Sequence, residues 1–191
     1  GTSGKIYCID WDEISPDFIF LGKTLGAGYV PISAILTSSK IANIIKEGSG
    51  RIENSTTFQG HSLAIAAALG VQKVIHEDGF VEEVNRKGNL FRDLLNHHFQ
   101  DHDFFVNVRG RGMRNSMEIT CEEEHLFGLA VTDRMKEEHG ILINGKWHRF
   151  TFSNAMIITD QEIEWALDKF SACFKDEASK WNSKRAKKVK Q

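Results

Sequence analysis

Pro16-Asp17-Phe18-Ile19-Phe20-Leu21-Gly22-Lys23-Thr24-Leu25-Gly26-Ala27-Gly28-Tyr29-Val30-Pro31 is the stretch on which the reading of this chain turns. Phe18 to Leu21 form a short unbroken apolar run, the pattern of a strand buried on both faces. The run stops at Gly22-Lys23, and Gly26 and Gly28 follow closely. A lysine at the end of a buried strand is cut off from bulk water, and the glycines let backbone or ligand come close to it. Burial disfavours the ammonium form, so such an amine becomes nucleophilic near neutral pH, as a Schiff-base lysine must be. Taken by itself, Gly22-Lys23-Thr24 also fits an ordinary polar turn. A phosphate loop is excluded, because its first glycine would fall at Asp17 and the residues between are a strand rather than a loop.

Around this stretch lie 191 residues, of which 41% are apolar and 26% charged, with a formal net charge of -2. That composition is globular, with enough chain for a real core, and carries no electrostatic footprint for nucleic acid. Cys8, Cys121 and Cys173 are odd in number and widely spaced, which fits buried thiols in a reducing compartment better than disulfides or zinc. No apolar run is long enough to span a membrane and no signal peptide opens the sequence, so the expected location is cytoplasmic.

Beyond the glycines, Ile32 to Leu36 reads as a strand, and Ser38 or Ser39 caps a helix over Lys40 to Lys46. Asn54-Ser55-Thr56-Thr57-Phe58-Gln59-Gly60-His61 is a polar loop leading into a helix of small apolar residues, Leu63 to Ile75. Hydroxyls beside the free N–H groups of a helix start suit either an anion or simple capping. An amphipathic helix follows from about Phe80 to His98. His97, His98 and His102 lack carboxylate or cysteine partners at ligand spacing and read as a solvated helix end, not a metal site.

Phe104 to Val108 and Met113 to Ile119 read as paired strands around Arg109-Gly110-Arg111-Gly112, a turn first and a phosphate contact second. A helix from about Phe127 to Glu138 stops at His139-Gly140, and Ile141 to Ile143 and Arg149 to Ser153 are predicted strands. The Arg149 guanidinium has the geometry to grip a carboxylate or sulfonate through two N–H donors, or to form a surface ion pair. Thr159 and Glu162 make a capping box for a last helix whose Ile163, Ala166, Leu167, Phe170 and Phe174 share a core face. The basic residues from Lys180 to Lys190 read as its solvated end.

The segment from Pro16 to Gly28 resembles the lysine motif of the class III, pyridoxal-phosphate-dependent aminotransferases of fold type I. Further resemblances follow in order over about residues 1–175. Gly1-Thr2-Ser3-Gly4-Lys5 is similar to a Gly-x-Thr-Gly-Lys stretch that lies in mid-chain in that family. Thr57-Phe58-Gln59-Gly60-His61 resembles its Thr-aromatic-x-Gly-His/Asn-Pro loop, with Ser62 where proline is usual. Arg109 to Gly112, with Glu118, resembles the hairpin that opens its small domain. The family commonly has an arginine shortly before a Pro-Pro pair; here both prolines are missing from Ser153 to Thr159. Counting back from Thr159-Asp160 puts Thr151 at the usual arginine position and Arg149 two residues earlier, on the same face of the strand.

This resemblance implies an α/β fold. Residues 1–95 would be the later part of the cofactor-binding major domain, 96–175 a small α+β C-terminal domain, and 176–191 a basic tail. It implies a pyridoxal 5'-phosphate enzyme passing an amino group from an amine or ω-amino acid donor to an oxo acid. Lys23 would be its Schiff-base lysine, Thr57 a contact to the cofactor phosphate, usually across a dimer interface, and Arg149 a substrate contact. The family's pyridine-nitrogen aspartate and phosphate loop would lie upstream. The chain is therefore expected to be a C-terminal half that works as a homodimer or with a chain supplying the N-terminal half, and with neither nucleic acid nor membrane as partner. Two other readings stand beside it: a non-catalytic fragment or interaction module of the same fold, and a related pyridoxal-phosphate aminomutase, racemase or decarboxylase. The Thr57–His61 loop looks more like members acting on ω-amines, β-alanine or taurine than those acting on ornithine derivatives.

Overall fold

The structure, a computed structural model, describes residues 1–54 and 56–188, with side chains as far as Asn182. Ser55 of the polar loop and the basic side chains from Lys184 to Lys190 lie outside what it describes. The chain forms two compact units, Gly1 with Lys5–Val81, and Thr2–Gly4 with everything from Glu82 onward.

In the first unit, β1 (Phe18–Leu21) and β2 (Ala34–Thr37) pair antiparallel, from Phe18 opposite Thr37 to Leu21 opposite Ala34. Helix α1 (Ser39–Glu47) starts where the Ser38 hydroxyl accepts from the Ile41 N–H, as its sequence predicts. Helix α2 (Ser62–Ile75) is capped instead by His61, whose Nδ1 accepts from the Ala64 N–H at 3.2 Å. The strand exists where its apolar run predicts, but it is not buried on both faces: Phe18 is 48% and Phe20 77% exposed. Two strands alone cannot supply the covering layers that the pattern presupposes. Leu63, Ile65, Leu69 and Val74 of α2 are exposed as well, and the buried apolar side chains of this unit are Ala68 and Ile75 among the described residues.

The second unit has a packed core. Helix α3 (Phe80–Phe99) leads to a four-stranded antiparallel sheet in the order β3-β4-β6-β5. Its strands are β3 (Phe105–Arg111), β4 (Arg114–Ile119), β5 (Asn144–Lys146) and β6 (Arg149–Ser153). Helices α4 (Glu124–His139) and α5 (Asp160–Lys188) complete it. Alternation along β4 and β6 sends Met117, Ile119, Phe150 and Phe152 inward. There Phe174 of α5, fully buried, meets Phe99 at 4.9 Å and Phe127 at 5.0 Å between ring centroids, edge to face. The capping box of α5 forms as its sequence predicts: the Thr159 N–H donates to Glu162 at 2.8 Å, and the Glu162 N–H to the Thr159 hydroxyl at 3.2 Å.

Two expectations change. Ile141 to Ile143 is not a strand; the strand is Asn144–Lys146. Gly140 ends α4 in the left-handed region, and the Ile141 N–H is taken by the Met135 carbonyl at 3.1 Å, so Ile141 has no donor left for a ladder. Pairing begins where Gly145, lacking a side chain, lets the strand come close to Gly128 of α4. The cysteines also differ from one another: Cys173 is buried, Cys121 half-buried with its thiol pushed up to about 11 by burial, and Cys8 exposed.

Candidate active site

β1 ends at Leu21 and the backbone stays extended through Gly22. Lys23 then turns into the left-handed region, with φ of 49°. That conformation costs a non-glycine residue of the order of 1 kcal/mol, and such strain persists only where surrounding bonds impose it. Those bonds are present: Leu25 N–H donates to Gly22 O, Gly26 N–H to Lys23 O, and Tyr29 N–H to Gly26 O. Gln72 of α2 pins the turn from outside through Nε2 to Leu25 O at 3.3 Å. Gly26 is buried in it, where a Cβ would stand 2.8 Å from Val30 O and 2.9 Å from Ile32 Cγ2. This glycine is required by space.

Lys23, Val30, Pro31, Ile32 and Ser33 line an open concavity of about 440 Å³. Lys23 itself is exposed, so the expected burial of its amine is not supplied by this chain's own residues. Thr57 lies in the 54–61 loop, shaped by the Gln59 N–H to Thr56 O bond and by Gly60 at φ 72°. Thr57 is exposed and does not line the Lys23 concavity.

Arg149 is in the second unit, exposed at the start of β6, with Glu118 and Lys146 as its cross-strand neighbours. Arg149 and Thr151 line one groove, so the two-residue offset does keep the same face. Glu118 is engaged by Arg109 Nη2 at 2.6 Å and by Asn107 Nδ2 at 2.9 Å. Arg109 and Arg114 share the groove with Arg149. The period-two spacing of Arg114, Ser116 and Glu118 on a predicted strand was the signal for that face; the turn reading of Arg109 to Gly112 concealed only the place of Arg109 on it, since β3 runs on to Arg111.

The family model described as Aminotransferase class-III matches residues 1–174. The chain belongs to the class-III aminotransferases. Its similarity to mitochondrial ornithine aminotransferase of Oryza sativa subsp. japonica is 40% identity over 63% of this chain and 25% of that protein. Ornithine aminotransferase 2 of Staphylococcus aureus is 32% identical over 91% of this chain and 41% of its own length. Among solved structures, the ω-transaminase of Pseudomonas jessenii in complex with PMP superposes with a TM-score of 0.84 at 27% identity. That likeness covers 94% of this chain and 42% of that one. The ornithine aminotransferase of Toxoplasma gondii superposes with a TM-score of 0.80 at 29% identity, over 94% and 41%. This class-III chain thus spans about two fifths of the length of these relatives, apart from the shorter match to the rice protein. The fold-type-I α/β architecture implied by the motifs is therefore the observed one. Relatives by sequence carry the ornithine name, while structural neighbours include ω-transaminases.

The family is pyridoxal-phosphate dependent, and the residues present fit part of that cofactor's needs. An open amine on a tightly bonded turn suits a covalent anchor, and an exposed threonine hydroxyl suits one phosphate contact. Among the described residues, no carboxylate lines the Lys23 concavity.

Proposed function

We propose that this chain carries the lysine and the C-terminal part of a pyridoxal-phosphate-dependent aminotransferase that passes an amino group from an amine or ω-amino acid to an oxo acid. The observation that carries the reading is Lys23, held by backbone bonds at the end of β1 in a chain of this family. Bound pyridoxal phosphate supplies an electron sink for the carbon next to the transferred nitrogen. The Lys23 Nζ anchors the cofactor and, when free, takes and returns the substrate proton. Thr57, which does not line the Lys23 concavity, would donate its hydroxyl to the phosphate of a cofactor held across a dimer interface. Arg149 orients a substrate carboxylate with paired N–H donors.

The exposed apolar residues of the first unit, and the lack of a carboxylate beside Lys23, support a partner that supplies what the relatives carry in their remaining length, as a second polypeptide or a longer precursor. The same observations favour, as a second reading, a non-catalytic module that keeps the fold.

Borohydride trapping tests the proposal. The chain is incubated with pyridoxal phosphate, reduced, digested and mapped by mass. The expected result is an adduct concentrated on the Lys23 peptide, absent in Lys23→Ala and reduced in Thr57→Ala. Adducts spread evenly over the surface lysines, with none enriched on Lys23 either in the chain alone or together with any co-purifying chain, would refute the catalytic reading.

A further inference from the structure

The last turn of α4 and the middle of α5 bring three different ligand chemistries together, away from every residue discussed above as part of the catalytic site. Among the described residues, the carboxylate of Glu138, the imidazole of His139 and the thiol of Cys173 place one ligand atom each within 4.8 Å of one another. They come from two packed helices, and Cys173 follows Glu138 by 35 residues, so no Cys-x-x-Cys spacing announces them in the sequence. Cys173 is buried, and its Sγ faces Glu138 Oε2 across 3.9 Å. The His139 ring, half-buried at the end of α4, makes no hydrogen bond or ion pair among the described residues.

Zinc holds sulfur at about 2.3 Å and nitrogen or oxygen at about 2.0–2.2 Å, which in a tetrahedron sets the ligand atoms about 3.3–3.6 Å apart. Closing on an ion takes about an ångström of movement at Glu138 and His139, neither of which is buried. The surroundings suit a cation. Glu138, Asp176 and Glu177 gather round the Arg134 guanidinium, with Lys180 as the second positive group. Arg134 donates from Nε to Glu138 Oε1 at 2.7 Å and from Nη2 to Oε2 at 3.2 Å. Giving up the longer bond frees Oε2, the oxygen that faces the thiol, while Nε holds the carboxylate from behind as outer partners of metal ligands do. Sulfur with imidazole selects zinc-like ions over magnesium and calcium, which take oxygen.

We infer that Glu138, His139 and Cys173 form a zinc site that ties α4 to α5, with a water completing the tetrahedron. Burial pushes the Cys173 thiol up, so the protonated form meets the metal. The S–H bond breaks, the sulfur keeps the electron pair and shares it with the ion, and the proton leaves to solvent, with no change of oxidation state. Neither Lys23 nor pyridoxal phosphate takes part, so this site and the catalytic reading fail independently.

The test is titration of the full chain, stripped with a chelator and kept reduced, with cobalt(II) as the coloured stand-in for zinc and without pyridoxal phosphate. The expected result is a near-ultraviolet thiolate-to-cobalt charge-transfer band with visible bands of a tetrahedral ion, bleached by zinc and untouched by magnesium. Cys173→Ser should abolish the charge-transfer band, and His139→Gln and Glu138→Gln should each weaken binding about tenfold or more. Cys8→Ser and Cys121→Ser should leave it unchanged. Zinc should also raise the urea midpoint of the wild type but not that of His139→Gln, because it binds the folded state. Absence of the charge-transfer band overturns the inference. So does a band that survives Cys173→Ser, that is lost in Cys8→Ser, or that His139→Gln or Glu138→Gln leaves at full affinity. Circular dichroism of the metal-free variants checks their folding; should Cys173→Ser not fold, the two variants at unburied side chains decide the question.

Discussion

Gly88→Ala separates helix propensity from packing, because the two give opposite signs. Gly88 lies in mid-α3, where alanine is favoured over glycine by about 1 kcal/mol. Its backbone, however, faces the Gly112 turn. A Cβ there would stand 2.5 Å from the Gly112 carbonyl carbon and nearer still to its oxygen, where ordinary contact begins at 3.4 Å. Helix or turn must give way by about an ångström, since backbone atoms have no rotamer to escape into. The turn is blocked from behind: Gly112 sits against Thr2–Gly4, with the Met113 N–H donating to Thr2 O at 2.9 Å. It also anchors buried Asn115, whose Nδ2 donates to Gly112 O at 3.1 Å and whose Oδ1 accepts from Arg92 Nη1 at 2.7 Å. Overpacking costs about 1–3 kcal/mol and misaligning buried polar groups about 1–3 more. Set against the propensity gain of about 1 kcal/mol, the net is about 1–5 kcal/mol of destabilisation. Urea unfolding followed by near-ultraviolet circular dichroism, which reports the aromatic cluster of the second unit, should show the midpoint falling by about 0.5–2.5 M at a slope of about 2 kcal/mol per M. Gly70→Ala on α2 is the control, since a Cβ there meets nothing within 4 Å; it should be neutral or up to about 1 kcal/mol stabilising. A Gly88→Ala midpoint equal to or above wild type would refute the argument.

Phe174→Ala should cost about 3–5 kcal/mol, because a fully buried ring that touches Phe99, Phe127 and His102 leaves a void its neighbours cannot close; a loss below about 2 kcal/mol would show that the cluster collapses into the space. Stability should also respond to acid at the α5 cap. The backbone N–H of Thr159, and then its hydroxyl, hold the Glu162 carboxyl below the usual range. A depressed carboxylate contributes stability above its unfolded pKa, about 4.3, and loses it as pH falls through the folded value. The midpoint difference between wild type and Glu162→Gln should therefore be constant near neutral pH and shrink on acidification below about pH 4; a difference unchanged at low pH would exclude this cap as the source.

What the sequence made legible follows from how local each feature is. The capping pair Thr159–Glu162 and the Gly140 stop depend on residues close in the chain and form where read; the β3–β4 hairpin forms too, but with its turn at Gly112-Met113 rather than over Arg109 to Gly112. The strand at Asn144–Lys146 escaped because Gly145 has no apolar side chain to announce it; its place is set by Gly128, on another element. Arg149 could be put on a strand but not in company, since its groove partners Arg109 and Arg114 come from strands β3 and β4. Lys23 and Thr57 were legible as motif residues, yet their surroundings were not, because the apolar run at Phe18–Leu21 encodes a burial that this unit does not complete.

That incomplete burial bears on the chemistry. A lysine that must lose its proton near neutral pH needs desolvation or a neighbouring charge, and Lys23 is exposed, at the end of a ribbon whose Phe20 and Ile35 are exposed too. Covering an apolar side chain of this size is worth about 1.5–3 kcal/mol. Phe20, Ile35, Leu63 and Leu69 together therefore offer about 6–12 kcal/mol, comparable with the whole stability of a domain. Association costs of about 4–15 kcal/mol are of the same size, so a stable complex must cover more of the unit's exposed apolar surface than these four side chains. A layer laid on the β1–β2 ribbon would gain the share from the paired Phe20 and Ile35 and remove water from the turn that follows the strand. In the proposed enzyme, the association that covers β1 and the exclusion of water from the turn that carries Lys23 are then the same physical event.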